Sequence, residues 1–321
     1  MKTVAPDYYR DFHCKAGNCK HTCCAGWEID IDEDTYTYYK HLDGSLAKKL
    51  KDSISDDGTP HFILQGKNER CPMLTDKGLC EIISVYTEAA LCQVCADHPR
   101  FRNFYSDRTE IGLGLCCEAA GELILGKKDK VQLISHSDDG ENEPTDSRDS
   151  RLFEKRDRII EILQNRQRSA AERMTQVLKE NGLTDKRSLK ELTGLFLSLE
   201  RLDEQWTKRL LKLKNAEISP ALGLNESGQV MAEQFAVYLI FRHTPYIDSK
   251  SALLSVSAMY RIFEALCLIQ IGESGGLAFS EAVEIARLIS SEVEYSDENS
   301  ERLALALNAN QNNPYRSYAK S

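Results

Sequence analysis

The sequence predicts a mainly α-helical protein: a cysteine-rich, irregular N-terminal module with a few short strands, followed by a helical domain. Three observations carry this. Ten of the eleven cysteines fall between Cys14 and Cys117. Apolar residues recur at three- and four-residue steps from Arg151 onward, as on one face of a helix. Between these stretches, His136 to Ser150 is acidic and poor in apolar residues, the composition of an exposed linker. The expected organisation is therefore a module over 1–130, a linker over 131–150 and a helical domain over 151–321.

In the helical half, Leu152, Ile159, Ile160, Leu163, Met174, Val177 and Leu178 mark an apolar face from Arg151 to Glu180. Asn181-Gly182 then supplies a stop. Further helical stretches are predicted at about 188–213, 230–243, 251–272, 280–292 and 299–308. Ser280 with Glu281 and Glu284 reads as an N-cap with an acidic first turn. The tail after Asn308 is expected to fray or lie along the surface. In the first half, Thr35 to Lys51 reads as a helix, and Phe62 to Leu64 and Ile111 to Leu115 as short strands.

The chain has 321 residues, of which 41% are hydrophobic and 28% charged, with a net charge of -9. That balance argues against nucleic acid as a partner, since phosphate neutralisation needs a basic surface. The first ten residues contain no apolar h-region. The longest apolar stretch, Leu253 to Ile271, carries Arg261 and Glu264 and reads as a buried helix rather than a membrane span. A cytoplasmic location without membrane contact is expected.

In a reducing compartment disulfides do not persist, so a dense cysteine cluster reads as metal binding or redox chemistry. The pattern is Cys14-x4-Cys19-x3-Cys23-Cys24, then Cys71-x8-Cys80-x11-Cys92-x2-Cys95-x20-Cys116-Cys117. Thiolates are soft anionic ligands suited to zinc and iron-sulfur clusters. Short spacings let a loop curl around one metal, with backbone amides free to hydrogen-bond the sulfurs. A structural metal would add on the order of 10 kcal/mol to the folding of a module this discontinuous. Spacing does not choose the metal. A zinc ribbon has two C-x2-C knuckles, and only Cys92-x2-Cys95 is present; the radical-type C-x3-C-x2-C triad is absent. Cys267, alone in an apolar stretch, reads as a small buried hydrophobe.

Tyr9-x2-Phe12-x-Cys14-x4-Cys19-x3-Cys23-Cys24-Ala25-Gly26-Trp27, with Ile29-Asp30-Ile31-Asp32 and Thr35-Tyr36, resembles the opening of the flagellin lysine-N-methylase family. Cys71-Pro72-x-Leu74, Gly78-Leu79-Cys80-x-Ile82, Cys92-x2-Cys95-x2-His98-Pro99-Arg100 and Cys116-Cys117-Glu118-Ala119-Ala120 extend the likeness over residues 8–125. In the helical half it rests on Tyr238-x2-Phe241-Arg242. The resemblance implies a protein-lysine N-methyltransferase acting on flagellin with S-adenosylmethionine, and an iron-sulfur cluster, 4Fe-4S in type, as the metal. The residues themselves leave two other classes open: a non-enzymatic zinc- or iron-binding interaction module, and an iron-sulfur redox protein.

Other residues admit a structural role beside a chemical one. Asp30, Asp32, Glu33 and Asp34 could hold a cationic lysine, but carboxylates before Thr35 also suit a helix N-terminus, which is favoured. Trp27 is expected to pack in the core. His98 is a possible metal ligand, Arg100 a hydrogen-bonding partner near the cysteines, and His13 and His21 are expected to be exposed. Gly112-x-Gly114 is expected at a bulge or packing position, since Gly121 lies too far on for a dinucleotide loop. No serine-histidine-aspartate motif or P-loop occurs.

Overall fold

The computed structural model describes residues 2–136, 145–219 and 221–307. The chain divides into two compact units, one over His13–Arg100 and one built from Met1–Phe12 together with Phe101–Ser321. The boundary expected near residue 130 is thus displaced. The reason is the sheet of the helical unit, in which strand β1 (Lys2–Pro6) pairs with residues 108–110 and 133–136, so that both ends of the expected module join that unit.

The inner unit, His13–Arg100, holds helices α1 (Glu33–His41) and α2 (Ser45–Asp52), strands β2 (Ile54–Ser55) and β3 (His61–Phe62), and helices α3 (Glu81–Tyr86) and α4 (Gln93–Asp97). The single helix expected over Thr35 to Lys51 is broken at Gly44, whose φ of 104° other residues rarely adopt. Asp32 caps α1 by accepting from the Thr35 N–H. The apolar core of this unit comprises Ile29, Ile31, Tyr39, Leu50, Phe62, Met73, Ile82 and Ala90, with Cys71 and Cys92 among them. Phe62 pairs with Ile54, and isolated bridges join Asp30 to His61, Ala25 to Arg70 and Leu74 to Cys80. Short ladders and tight turns carry this unit in place of long helices.

In the outer unit a four-stranded sheet has the order β4-β5-β1-β6, adding β4 (Arg100–Phe104), β5 (Arg108–Leu113) and β6 (Leu133–His136). β1 runs parallel to β5, with Val4 opposite Glu110, and antiparallel to β6, with Val4 opposite Ser135. Helix α5 (Glu118–Gly126) lies between β5 and β6 in sequence. The helices α6 (Ser147–Leu163), α7 (Ala170–Glu180), α8 (Leu189–Ser198), α9 (Glu204–Asn215), α10 (Glu226–Arg242), α11 (Lys250–Ser274), α12 (Phe279–Ile289) and α13 (Asp297–Leu307) follow. Of the expected linker, residues 137–144 lie outside the described residues; its flanks are β6 and the start of α6. The expected tail after Asn308 also lies outside them.

Two predicted helices are each two. The Arg151 to Glu180 face divides because Ser169 caps a new helix through a reciprocal capping box with Glu172. The 188–213 stretch divides likewise into α8, boxed by Ser188 and Glu191, and α9, capped by Asp203. For α12 the N-cap is Ala278 rather than Ser280. Helices α10 and α11 form the centre and are apolar almost all round, which suits helices with neighbours on every side. α11 is long and apolar enough to cross a membrane, yet 78% of its apolar window is buried inside the unit. It packs on α7, α8, α9, α10, α12 and α13. Its Arg261 is held by Asp185 at 2.8 Å.

Candidate metal centre

Eight of the ten N-terminal cysteines belong to the inner unit, and Cys116 and Cys117 belong to the outer one. Backbone pairing assembles the inner set. The Ala25–Arg70 bridge places Cys24 beside Cys71, whose N–H donates to the Cys24 carbonyl at 2.8 Å. The chain then turns at Cys71 to Leu74, with the Leu74 N–H on the Cys71 carbonyl at 3.0 Å, and Leu74 bridges to Cys80. Cys80 stands at the N-cap of α3, and Cys92 at the N-cap of α4 with Cys95 inside that helix.

Two longer-range contacts hold α4 in place. The second carboxylate oxygen of Asp32 accepts the Gln93 N–H at 2.8 Å, and the Tyr39 hydroxyl donates to the Ala90 carbonyl at 2.6 Å. A close backbone approach brings in the first loop. A Cβ on Gly17 would stand 2.6 Å from the Lys77 carbonyl oxygen, and one on Gly78 would stand 3.2 Å from Gly17 Cα. The Cys14–Cys19 loop therefore lies against the turn before Cys80.

The electrostatics show which thiols are neighbours. Cys24 is lowered to about 7, chiefly by a hydrogen bond with the Cys23 thiol, against burial and with help from Thr22 and Arg70. Burial pushes Cys71 up to about 12, opposed by the Met73 N–H on its sulfur, with Cys24, Cys80 and Cys92 close enough to add to the rise. Burial also raises Cys80, against the N–H groups of Ile83 and Ile82, with Cys24 and Cys92 again nearby. Cys92 and Cys95 share a hydrogen bond that lowers the first and raises the second; the Cys95 N–H adds to the lowering at Cys92. Cys71 and Cys80 thus each lie within electrostatic reach of Cys24 and Cys92, and Cys95 within reach of Cys24, Cys71 and Cys92.

Among the described residues, no three His, Cys, Asp or Glu side chains converge on a common point suited to a metal ion as they stand. The donor set nevertheless fits a thiolate-bound metal in kind. It offers more than four soft ligands, with backbone N–H groups already on the sulfurs of Cys71, Cys80 and Cys92. Cys14 is exposed, and its sulfur accepts from the Ala16 N–H at 3.3 Å.

The remaining candidates fall as follows. Trp27 is half-buried; its ring stacks on His98 at 6.3 Å and its Nε1 donates to the Cys23 carbonyl at 2.7 Å, so it steadies the cysteine loop. His98 Nε2 is buried without a hydrogen-bond partner, and burial, aided by the Arg100 guanidinium, holds the ring's pKa down at about 4. His13 and His21 are both exposed, as expected. Asp32 is occupied in capping, while Glu33 and Asp34 form the acidic first turn of α1. The structural reading of that acidic stretch is the one seen.

Cys116 lies in a separate polar cluster of the outer unit. Its thiol is hydrogen-bonded with the Tyr295 hydroxyl, and burial pushes it up to about 12. Glu294, at the end of a π-turn over Ser290–Glu294, accepts from the Tyr238 hydroxyl at 2.8 Å. It also meets Arg242 Nε at 3.2 Å and His243 Nε2 at 2.9 Å. The Arg242 guanidinium lies 4.7 Å from the ring centres of both Phe101 and Tyr295. Gly112 and Gly114 serve packing, since added Cβ atoms would stand 2.3 Å from the Phe101 ring and 2.0 Å from the Tyr295 hydroxyl. Cys117 is the N-cap of α5, and Cys267 is wholly buried in α11.

Sequence reasoning named Tyr238 and Arg242 only as parts of a motif; Glu294 and Tyr295, their partners, carried no signal of their own. Comparison with protein-family models, curated proteins and solved structures finds no match to any of them.

Proposed function

We propose that the inner unit is the thiolate metal centre of a protein-lysine N-methyltransferase that uses S-adenosylmethionine and acts on flagellin or a similar surface protein. The observation that carries the metal part is the gathering of Cys24, Cys71, Cys80, Cys92 and Cys95 in one small unit. The methyl transfer rests on the family resemblance of residues 8–125.

In this reading the ligands come from those five thiols, with Cys14, Cys19 and Cys23 on the neighbouring loop as further candidates. An iron-sulfur cluster fits the resemblance, and zinc is the alternative. When bound, the metal supplies cross-linking of the loops and, if it is an iron-sulfur cluster, a redox or Lewis-acid centre. The chain's own part is to hold the sulfurs: the N–H groups of Met73, Ile82, Ile83 and Cys95 favour the thiolate forms that ligation requires. The acceptor lysine must be neutral to attack the methyl group, so a base or a desolvating wall has to meet it.

The test is anaerobic purification with iron, sulfide and zinc analysis and an absorption spectrum, followed by mass spectrometry of flagellin incubated with the methyl donor. Iron and sulfide in near-equal amounts, with mass steps of one methylene on flagellin lysines, is the expected result. Colourless protein with stoichiometric zinc would remove the iron-sulfur cluster. Unmodified flagellin under these conditions would remove the enzyme.

A further inference from the structure

The inner unit carries a groove that none of the cysteines uses. It is a shallow depression of about 540 Å³, open to solvent, lined by Glu28, His61, Phe62, Ile63, Leu64 and Glu69, with Ser55. Its apolar side is formed by Ile63, 49% exposed, beside the half-buried Leu64. Glu28 and Glu69 are exposed at the same groove, and among the described residues the Glu28 carboxylate meets His61, whose Nδ1 stands 3.8 Å from its Oε1. That nitrogen is also 2.8 Å from the Thr59 carbonyl, a contact that needs its proton. The His61 ring is thereby oriented and Glu28 remains available. Glu69 enters the backbone network only through its main chain: its carbonyl accepts the Gly26 N–H at 3.2 Å and its own N–H donates to Gly66.

We propose that this groove binds a lysine or arginine side chain of an extended, basic segment of the protein substrate. The complementarity is in two parts. A long aliphatic stem suits Ile63 and Leu64, as amphipathic side chains lay their methylenes on apolar surface while the charged head stays near water. The cationic head suits two carboxylates at the rim. The groove is also tied to the cysteine framework by chain connection, because Glu28 follows Cys24 by one turn of loop and Glu69 precedes Cys71 by two residues. This rests on the proposed function and sharpens it. Two carboxylates favour the protonated form of an amine, whereas methyl transfer needs the neutral one. The side chain held here is therefore a recognition residue, distinct from the lysine that is methylated.

The test uses the full chain, purified with its metal, and a short Gly-Ser-Ala peptide with one central lysine. Chemical-shift titration of the labelled protein measures binding without any methyl donor. The expected result is binding centred on Ile63 and Leu64. It should weaken about tenfold in E28Q/E69Q and by a similar factor when the peptide lysine is acetylated. Neither side chain holds the fold, so the double variant should melt as the parent does. No binding, or equal binding by parent and variant, overturns the groove. If binding needs the two glutamates yet flagellin is never methylated, the groove stands and the methyltransferase reading falls. If flagellin is methylated with the same KM by E28Q/E69Q, the methyltransferase reading stands and the groove falls.

Discussion

Asp32 and Gln93 are 61 residues apart, yet the Asp32 carboxylate accepts the Gln93 N–H at 2.8 Å while its other oxygen caps α1 through Thr35 at 2.9 Å. One side chain thus fixes the start of α1 and the first turn of α4, the helix that carries Cys92 and Cys95. Burial works to raise the Asp32 pKa, but the N–H groups of Gln93 and Thr35 outweigh it and hold the carboxyl below its ordinary value. A group whose folded pKa is depressed contributes stability above its unfolded pKa, near 3.9, that is lost as pH falls through the folded value. Asp32→Ala should cost about 1 kcal/mol through the lost cap. It should also flatten the acid limb of a stability-against-pH curve measured by denaturant melts. An unchanged acid limb would remove Asp32 from this role.

Cys71 and Cys267 are both buried, but they answer different questions. Cys71→Ala removes a proposed ligand from the core of the inner unit and should lower metal content and the melting temperature together, since ligand loss is loss of folding energy. Cys267→Ala lies among α11 side chains far in sequence from the module, and should cost only about 1 kcal/mol by cavity formation, with metal content unchanged. Metal analysis beside calorimetry separates the two. Equal metal content in Cys71→Ala would strike it from the ligand set.

Gly114 and Gly194 form a second contrast. A Cβ on Gly114 meets the Tyr295 hydroxyl at 2.0 Å and two carbons of its ring at 2.9 and 3.1 Å, whereas one on Gly194 meets nothing within 4 Å. Gly114→Ala should destabilise by about 1–3 kcal/mol through overpacking, and should perturb the Cys116–Tyr295 hydrogen bond. Gly194→Ala, inside α8, should stabilise by about 0.5–1 kcal/mol. Urea unfolding reads both signs.

Glu294 is 9% exposed and faces Tyr238, Arg242 and His243. Burial raises its pKa, but Arg242 and His243 more than compensate and hold it below the ordinary carboxylate value. Its contribution is thus present above the unfolded pKa and fades as pH falls through the folded one. Glu294→Gln leaves Arg242 without its carboxylate and should cost about 3–5 kcal/mol. A near-neutral effect in thermal melts would mean that the guanidinium is satisfied by the Phe101 and Tyr295 rings alone.

Much of the helical unit was legible, because the 3.6-residue period of its buried faces is a local signal. The breaks are local signals too: Ser169 with Glu172 and Ser188 with Glu191 are capping boxes written in the sequence. Gly44 likewise ends the run over Thr35 to Lys51. The membership of the two units was not legible. Nothing in Lys2 to Pro6 says that its partners are Arg108 to Glu110 and Leu133 to His136, since strand pairing is a non-local choice. The same holds for the cysteines: spacing suggested loops, but the neighbourhood of Cys24 and Cys71 depends on a backbone bridge between Ala25 and Arg70. Polar clusters assembled from distant segments, such as Glu294 with Tyr238, leave no periodic trace.

Strand β1 sits between β5 and β6, and this order matters while the chain is being made. β1 leaves the ribosome before β5, which begins only at Arg108. At about 5–20 residues per second, the first strand waits on the order of 5–20 s for its parallel neighbour, with both hydrogen-bonding edges open. Every residue from His13 to Arg100 emerges during that wait. The nascent thiol-bearing unit therefore has the opportunity to fold, and to take up its metal if the proposed function holds, before the sheet closes around β1. A β1 edge left unpaired through that interval is the kind of surface that invites aggregation and chaperone capture.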